Sequence, residues 1–395
     1  MKFSLLGADA DALKLAAAAA RSHEHELVSA HDVGDAAAAI REFAPLASID
    51  EHWEGLLSGS PCEAVIVGRG ADDDARADQL RKLVQAGVPL VISHPIHDSM
   101  LVYYELDMIR QESRCLMLPY LPALGHPALA RLAELLQSKN RPGLGPPEQL
   151  VIERSFAQRD RRTVQAGFVR DMELVRMLCG RLNKVAAMTS PTGAAGAGKS
   201  AGELNYANLG VQMSGPGGVL VRWSVVAGED SGGARWNFVG PEGKATLEIP
   251  AGEQVWKLET RLAGGVQSET FEPWDAPRFA LDQMQRARSG QPLKPDWLDA
   301  ANTMELADAV EHSLQRGRTI ELHYESASEQ STFKGLMSGI GCFLLIGVLL
   351  FVIVATTAVH AGVPLADFWP HALLALLLAF LLLQLLRLAF PRESD

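Results

Sequence analysis

Between Lys334 and Asp367 the chain runs for 32 residues without one Asp, Glu, Lys or Arg. A helix rises about 1.5 Å per residue, so about 20 apolar residues cross a hydrocarbon layer roughly 30 Å thick. Most of this stretch, residues 335–359, reads GLMSGIGCFLLIGVLLFVIVATTAV, and a second apolar stretch, His371 to Phe390, carries only Arg387 near its end. The connector between them holds Gly362, Pro364, Asp367, Trp369 and Pro370, which suit a tight turn at an interface. The pattern predicts a transmembrane helical hairpin over residues 334–390, with the lipid bilayer as a partner of the chain. The remaining five-sixths reads as ordinary globular protein.

Lys334 precedes the first span, Arg387 and Arg392 lie at the end of the second, and the connector has no Lys or Arg. Positive residues favour the cytoplasmic side, so both termini are expected in the cytoplasm at the cell membrane. Asp9, Asp11 and Lys14 interrupt the start of the chain where a secretory signal needs an apolar run. Without the tail, about 330 residues remain, enough for two domains. A net charge of −11 without a basic cluster in the globular part argues against nucleic acid as a partner. The four cysteines form no CxxC pair, which suits a reduced compartment with neither a disulfide scaffold nor a zinc site.

In the first 120 residues short apolar runs alternate with longer amphipathic ones. Strands are expected at Lys2–Leu6, Glu26–Ala30, Ala64–Gly68, Pro89–Ile92 and Arg114–Leu118. Helices fall between them, which indicates βαβ units and a parallel sheet covered on both faces. After about Leu124 the pattern changes. Helices at Ala128–Gln137 and Gln165–Cys179 flank a strand at Gln149–Phe156, and close-set strands follow from Ala207 to Glu259. Turns at Gly215–Gly218 and Gly240–Lys244 separate them, as in antiparallel hairpins. Helices at Arg278–Ser289 and Trp297–Gln315 follow, then a polar linker at 326–333.

This order, together with RWNFVGPEGKATLEI (Arg235–Ile249), DMELVRMLCG (Asp171–Gly180) and LADAVEHSLQRGRTIEL (Leu306–Leu322), resembles the glucose–fructose oxidoreductase, inositol dehydrogenase and MocA family. The resemblance covers roughly Met1 to Tyr324. It implies an α/β fold with an N-terminal Rossmann domain at 1–123. A second α/β domain at 124–325 would be built on a large, mainly antiparallel sheet. It further implies NAD or NADP as cofactor, a sugar-like ligand, and homo-oligomers packed through that sheet.

The residues at the family's working positions are altered. In the turn Gly7-Ala8-Asp9-Ala10-Asp11-Ala12, Gly7 keeps the tight bend and Ala12 is an accepted third residue. Asp9 stands where glycine lets the backbone approach a pyrophosphate. Like charges about 4 Å apart at an effective dielectric of about 20 repel by about 4 kcal/mol, a loss of about a thousandfold in binding unless Asp9 swings away. Asp32 ends the second strand, where an acid would hold a ribose or simply face solvent. The family's Glu-Lys-Pro triplet corresponds to Ser93-His94-Pro95. Pro95 is kept, and His94 is a candidate proton acceptor or a histidine at the cleft edge. The Asp and His expected one turn apart correspond to Ala166 and Arg170. Alanine moves no proton, and Arg170 stays protonated, so it could hold a carboxylate or lie in solvent.

Gly193–Ser200 spells GxxxxGK[ST], but no long helix follows, so it reads as a glycine-rich linker. His23-Glu24-His25 reads as a solvated loop, and His94 with His97 lacks a third ligand, so no metal is expected. Two readings of different class stay open. One is a membrane-tethered binding or scaffolding protein that has lost ordinary dehydrogenation. The other is an active NAD(P)-dependent oxidoreductase on a sugar or polyol, with His94 as the base. The altered motifs favour the first.

Overall fold

The structure, a computed structural model, describes residues 1–57, 62–137, 143–189, 206–227 and 232–322, with Thr357. Apart from Thr357, both expected membrane spans and the Gly193–Ser200 motif lie outside the described residues. Among the described residues, no helix is long and apolar enough to cross a membrane. The chain divides into two compact units, Met1–His323 and Tyr324–Asp395, and the account below concerns the first.

Six parallel strands form the first sheet: β1 (Lys2–Leu6), β2 (Glu26–His31), β3 (Ser48–Asp50), β4 (Ala64–Val67), β5 (Leu90–Ser93) and β6 (Met117–Tyr120). Their order is β3-β2-β1-β4-β5-β6. Every residue of β4 and β5 is buried, as expected for apolar runs covered on both faces. The crossovers are α1 (Ala10–Arg21), α2 (Ala37–Phe43), α3 (Asp73–Gln85) and α4 (Met100–Ser113). The edge strand β3 was not expected, and β6 begins three residues later than the sequence suggested.

The second region opens with α5 (Pro127–Gln137), β7 (Gln149–Ser155), α6 (Arg161–Cys179) and β8 (Lys184–Met188). It continues with β9 (Gly210–Ser214), β10 (Leu220–Val226), β11 (Ala234–Gly240), β12 (Gly243–Ile249), β13 (Trp256–Leu262) and β14 (Gly265–Phe271). It closes with α7 (Ala276–Arg288), α8 (Trp297–Arg316) and β15 (Ile320–Glu321). The nine strands run β14-β13-β12-β11-β7-β10-β9-β8-β15. Only the β7–β10 pair is parallel, so the sheet is mainly antiparallel. Its strands alternate: Trp236, Phe238 and Leu247 point into the core. On the other face Arg235 and Glu248, opposite each other in register, form an ion pair at 3.0 Å. The β11–β12 turn needs Gly240, because a Cβ there would fall 2.2 Å from the Leu144 carbonyl oxygen.

The two halves share their packing. Trp297 of α8 stacks on Tyr103 of α4 with centroids 4.9 Å apart, and its indole N–H donates to the Tyr103 carbonyl at 3.0 Å. Helix α7 belongs by sequence to the second region, yet Ala276, Ala280, Leu281 and Met284 join the core of the first sheet with Leu5, Ala12 and Leu15. A boundary near residue 123 therefore describes the order of the chain better than its packing.

Candidate functional site

The turn after β1 is built as the sequence implies. Gly7 has φ +77°, its N–H donates to His31 O at 2.9 Å, and α1 starts three residues later. Ala12 lies fully buried where α1 crosses β4, so close that a Cβ on Gly68 would come 2.8 Å from its methyl group. Asp9 is the helix N-cap and does not swing away. Its Oδ1 accepts the Ala12 N–H at 2.8 Å and the Ser93 hydroxyl at 2.9 Å, and its Oδ2 accepts the Arg69 N–H at 2.7 Å. Hydrogen bonds to a charged acceptor contribute roughly 1.5–3 kcal/mol each, and a carboxylate at a helix N-terminus gains about 0.3–1 kcal/mol more. The carboxylate thus takes up helix and loop donors that an anion at this turn would use.

A second side chain closes the same place. Arg76 of α3 is 2% exposed, and its Nη2 donates to Asp32 Oδ2 at 3.0 Å. The guanidinium lies against the glycine turn, where a Cβ at Gly7 would fall 2.5 Å from Nη2. Burial lowers its pKa, while Asp32 and Asp9 pull it back up. Asp32, with φ 51°, is therefore neither a purely solvated strand end nor an open ribose acceptor; it is the counter-charge of a buried arginine. Sequence reasoning missed Arg76. The available signal was a charged residue four before Leu80 and seven before Leu83, on the buried stripe of α3.

His94 is not at the cleft edge. Its side chain is fully buried, its Nδ1 lies 3.3 Å from the Tyr103 hydroxyl, and the two rings meet edge to face. Burial, then Arg170 and Arg69, push its pKa down to about 3. A base works best with a pKa near the operating pH, so this placement does not serve the proton acceptor expected from sequence. Pro95 follows through a cis bond and is buried with it. Arg170 is partly exposed and is already engaged within the chain. Its Nε donates to His94 O at 2.7 Å and its Nη2 to Asp11 Oδ2 at 2.5 Å, joining α6 to β5 and α1.

A cavity of about 1490 Å³ lies between α1, α6, α7 and the large sheet, lined among others by Asp11, Tyr120, Ala166, Arg170, Trp256 and Trp274. Gly7, Asp9, Asp32 and His94 are not among its lining residues. Four of its arginines are paired within the chain: Arg69 with Asp98, Arg154 with Asp171, Arg162 with Asp73, and Arg170 with Asp11. The Arg154–Asp171 pair is forked, at 2.7 and 2.5 Å, and Asp171 also accepts the Trp223 indole N–H at 2.8 Å.

On the far side of α6, Glu173 is 1% exposed, and burial pushes its pKa up to about 7 from the usual 4.5. Because the folded pKa lies above the unfolded one, the folded state binds more protons between those values. Stability is therefore expected to fall as pH rises from about 4.5 to about 7 and to level off beyond. Glu173→Gln should remove this slope and gain about 3 kcal/mol at pH 8, read from denaturant unfolding at several pH values. Parallel profiles for the two proteins would contradict the assignment.

No protein-family model and no curated protein sequence matches the chain. Several solved structures match its fold. The aldose–aldose oxidoreductase of Caulobacter crescentus, complexed with glycerol, superposes with TM-score 0.68 at 15% identity, covering 82% of this chain and 99% of that one. A myo-inositol dehydrogenase from Corynebacterium glutamicum gives 0.62 at 19% identity, covering 82% and 99%. An Agrobacterium radiobacter oxidoreductase in complex with NAD+, L-tartaric acid and magnesium gives 0.66 at 12% identity, covering 81% and 98%. The structural neighbours of this chain are oxidoreductases of the glucose–fructose oxidoreductase, inositol dehydrogenase and MocA type, and at these identities the likeness is one of fold.

Proposed function

We propose that this chain uses the two-domain oxidoreductase fold for binding or scaffolding rather than for hydride transfer. Two C-terminal helices would hold it at the cytoplasmic face of the cell membrane. The observation that supports this most is the filled turn: Asp9 holds the Ala12, Arg69 and Ser93 donors, and Arg76 covers Gly7 while engaging Asp32. These residues do not fit a dinucleotide, so neither NAD nor NADP is assigned and no reaction step is built on one. The ligand class we assign to the cavity is neutral and ring-bearing, such as a sugar. Four lining arginines already carry partners, while the half-buried Trp274 offers an apolar ring.

The test is turnover by the full chain in lipid nanodiscs, followed at the nicotinamide absorbance with NAD+ or NADP+ over a panel of aldoses and polyols. The expected result is no rate above the protein-free control. Activity that disappears in His94→Ala would restore the reading of an active enzyme. The membrane part is tested separately. A reporter fused after Asp395 should report the cytoplasm and one inserted near Gly362 the other side; a cytoplasmic signal from the insertion sinks the two-span arrangement.

A further inference from the structure

We propose that Glu24, His25 and Asp282 form a binding site for a divalent transition-metal ion, either Zn2+ or Mn2+. From sequence, His23-Glu24-His25 is a solvated loop between α1 and β2. The fold changes that for its last residue. The His25 side chain is 1% exposed, and its Nε2 lies 3.1 Å from Oδ1 of Asp282, which comes from α7. One donor atom from each of Glu24, His25 and Asp282 lies within 4.8 Å of the other two.

The spacing and the chemistry both suit an ion. Bonds of about 2.1 Å in a tetrahedral arrangement put two ligand atoms about 3.4 Å apart, so the His25–Asp282 pair is already near ligand spacing. Glu24 is exposed, and a side-chain rotation would bring its carboxylate in. One imidazole with two carboxylates is a donor set for Zn2+, Mn2+ and their neighbours, whereas Mg2+ prefers oxygen ligands and keeps its water. The Glu24 carboxylate has no hydrogen-bond or ion-pair partner among the described residues. Asp282 has a second cation near it, Arg278 Nε at 4.0 Å, but that side chain is 65% exposed and its charge is largely screened by solvent. Glu24 and His25 border the large cavity, and the Asp282 side chain is 37% exposed, so an ion has a route to the site.

Binding would use the lone pair of Nε2 in the tautomer that carries its hydrogen on Nδ1, and the ion would replace the hydrogen bond now made to Asp282. The ion would tie the α1–β2 loop of the first sheet to α7. Because His25 and Asp282 are 257 residues apart in the chain, the unfolded state does not present the site and binding stabilises the fold.

The experiment is a calorimetric titration of Zn2+, Mn2+ and Mg2+ into untagged, metal-stripped full chain in nanodiscs, with unfolding midpoints measured in parallel. One equivalent of Zn2+ or Mn2+ should bind and raise the midpoint, with no response to Mg2+. Glu24→Gln should weaken binding by at least about tenfold while leaving the metal-free midpoint unchanged, because its carboxylate holds nothing else. Asp282→Asn should weaken binding to a similar degree. The proposal is overturned if neither ion binds, or if both variants bind as the unmodified chain does. Loss of binding in His23→Ala with retention in Glu24→Gln would place the ion on the exposed loop and overturn it equally.

Discussion

Asp9→Gly combined with Arg76→Ala is expected to give the chain a measurable affinity for NADH or NADPH that the unmodified chain lacks. Asp9→Gly removes a charge that would stand about 4 Å from a phosphate, about 4 kcal/mol or a thousandfold in binding, and frees the Ala12 and Arg69 N–H groups. Arg76→Ala clears the space over Gly7 and releases Asp32. Asp32 is 51% exposed and readily rehydrated, so the lost ion pair costs little. The double variant should exceed either single one, because the two side chains obstruct neighbouring parts of one ligand. Nicotinamide fluorescence on binding reads the result, with circular dichroism to establish that the variant folds. Equal affinities in all four proteins would show that neither side chain obstructs the turn.

Asp171→Ala should be among the most destabilising single changes, at about 3–5 kcal/mol. Asp171 is 1% exposed and accepts three hydrogen bonds, two from Arg154 and one from the Trp223 indole. Truncation leaves a guanidinium and a buried N–H without their acceptor. The Trp223 ring is fully buried beside Phe168 and Phe156, so water cannot easily replace the carboxylate. Urea unfolding of the full chain measures the loss. A cost below about 1 kcal/mol would mean that the pair is not formed in solution.

Much of the architecture was legible because its signals are local. The uninterrupted AVIV of β4, the alternation in β11 and β12 and the glycine turn between them each announce their conformation within a few residues. β3 was missed because three residues with a single apolar centre carry no periodicity. Positions matched to the resembled family pointed to Asp9, Asp32, His94 and Arg170, yet their surroundings did not follow from sequence. Asp9 was recognised as an obstacle, but its three donors come from α1, β5 and the segment after β4, which only the fold brings together. The family triplet puts His94 at a cleft; in the fold Tyr103 of α4 packs edge to face against it, and Trp297 of α8 stacks on Tyr103. The partners of Arg76 and Asp282 are hidden in the sequence for the same reason. Each matters through a partner far away in sequence, Asp32 in one case and His25 in the other.

The most direct test of the central claim is a calorimetric titration of NADH and NADPH into the unmodified full chain. With the carboxylate of Asp9 and the guanidinium of Arg76 filling the turn, no saturable heat is expected for either nucleotide. Saturable binding in the micromolar range would contradict the account: it would mean that Arg76 leaves the Gly7 turn when the nucleotide arrives.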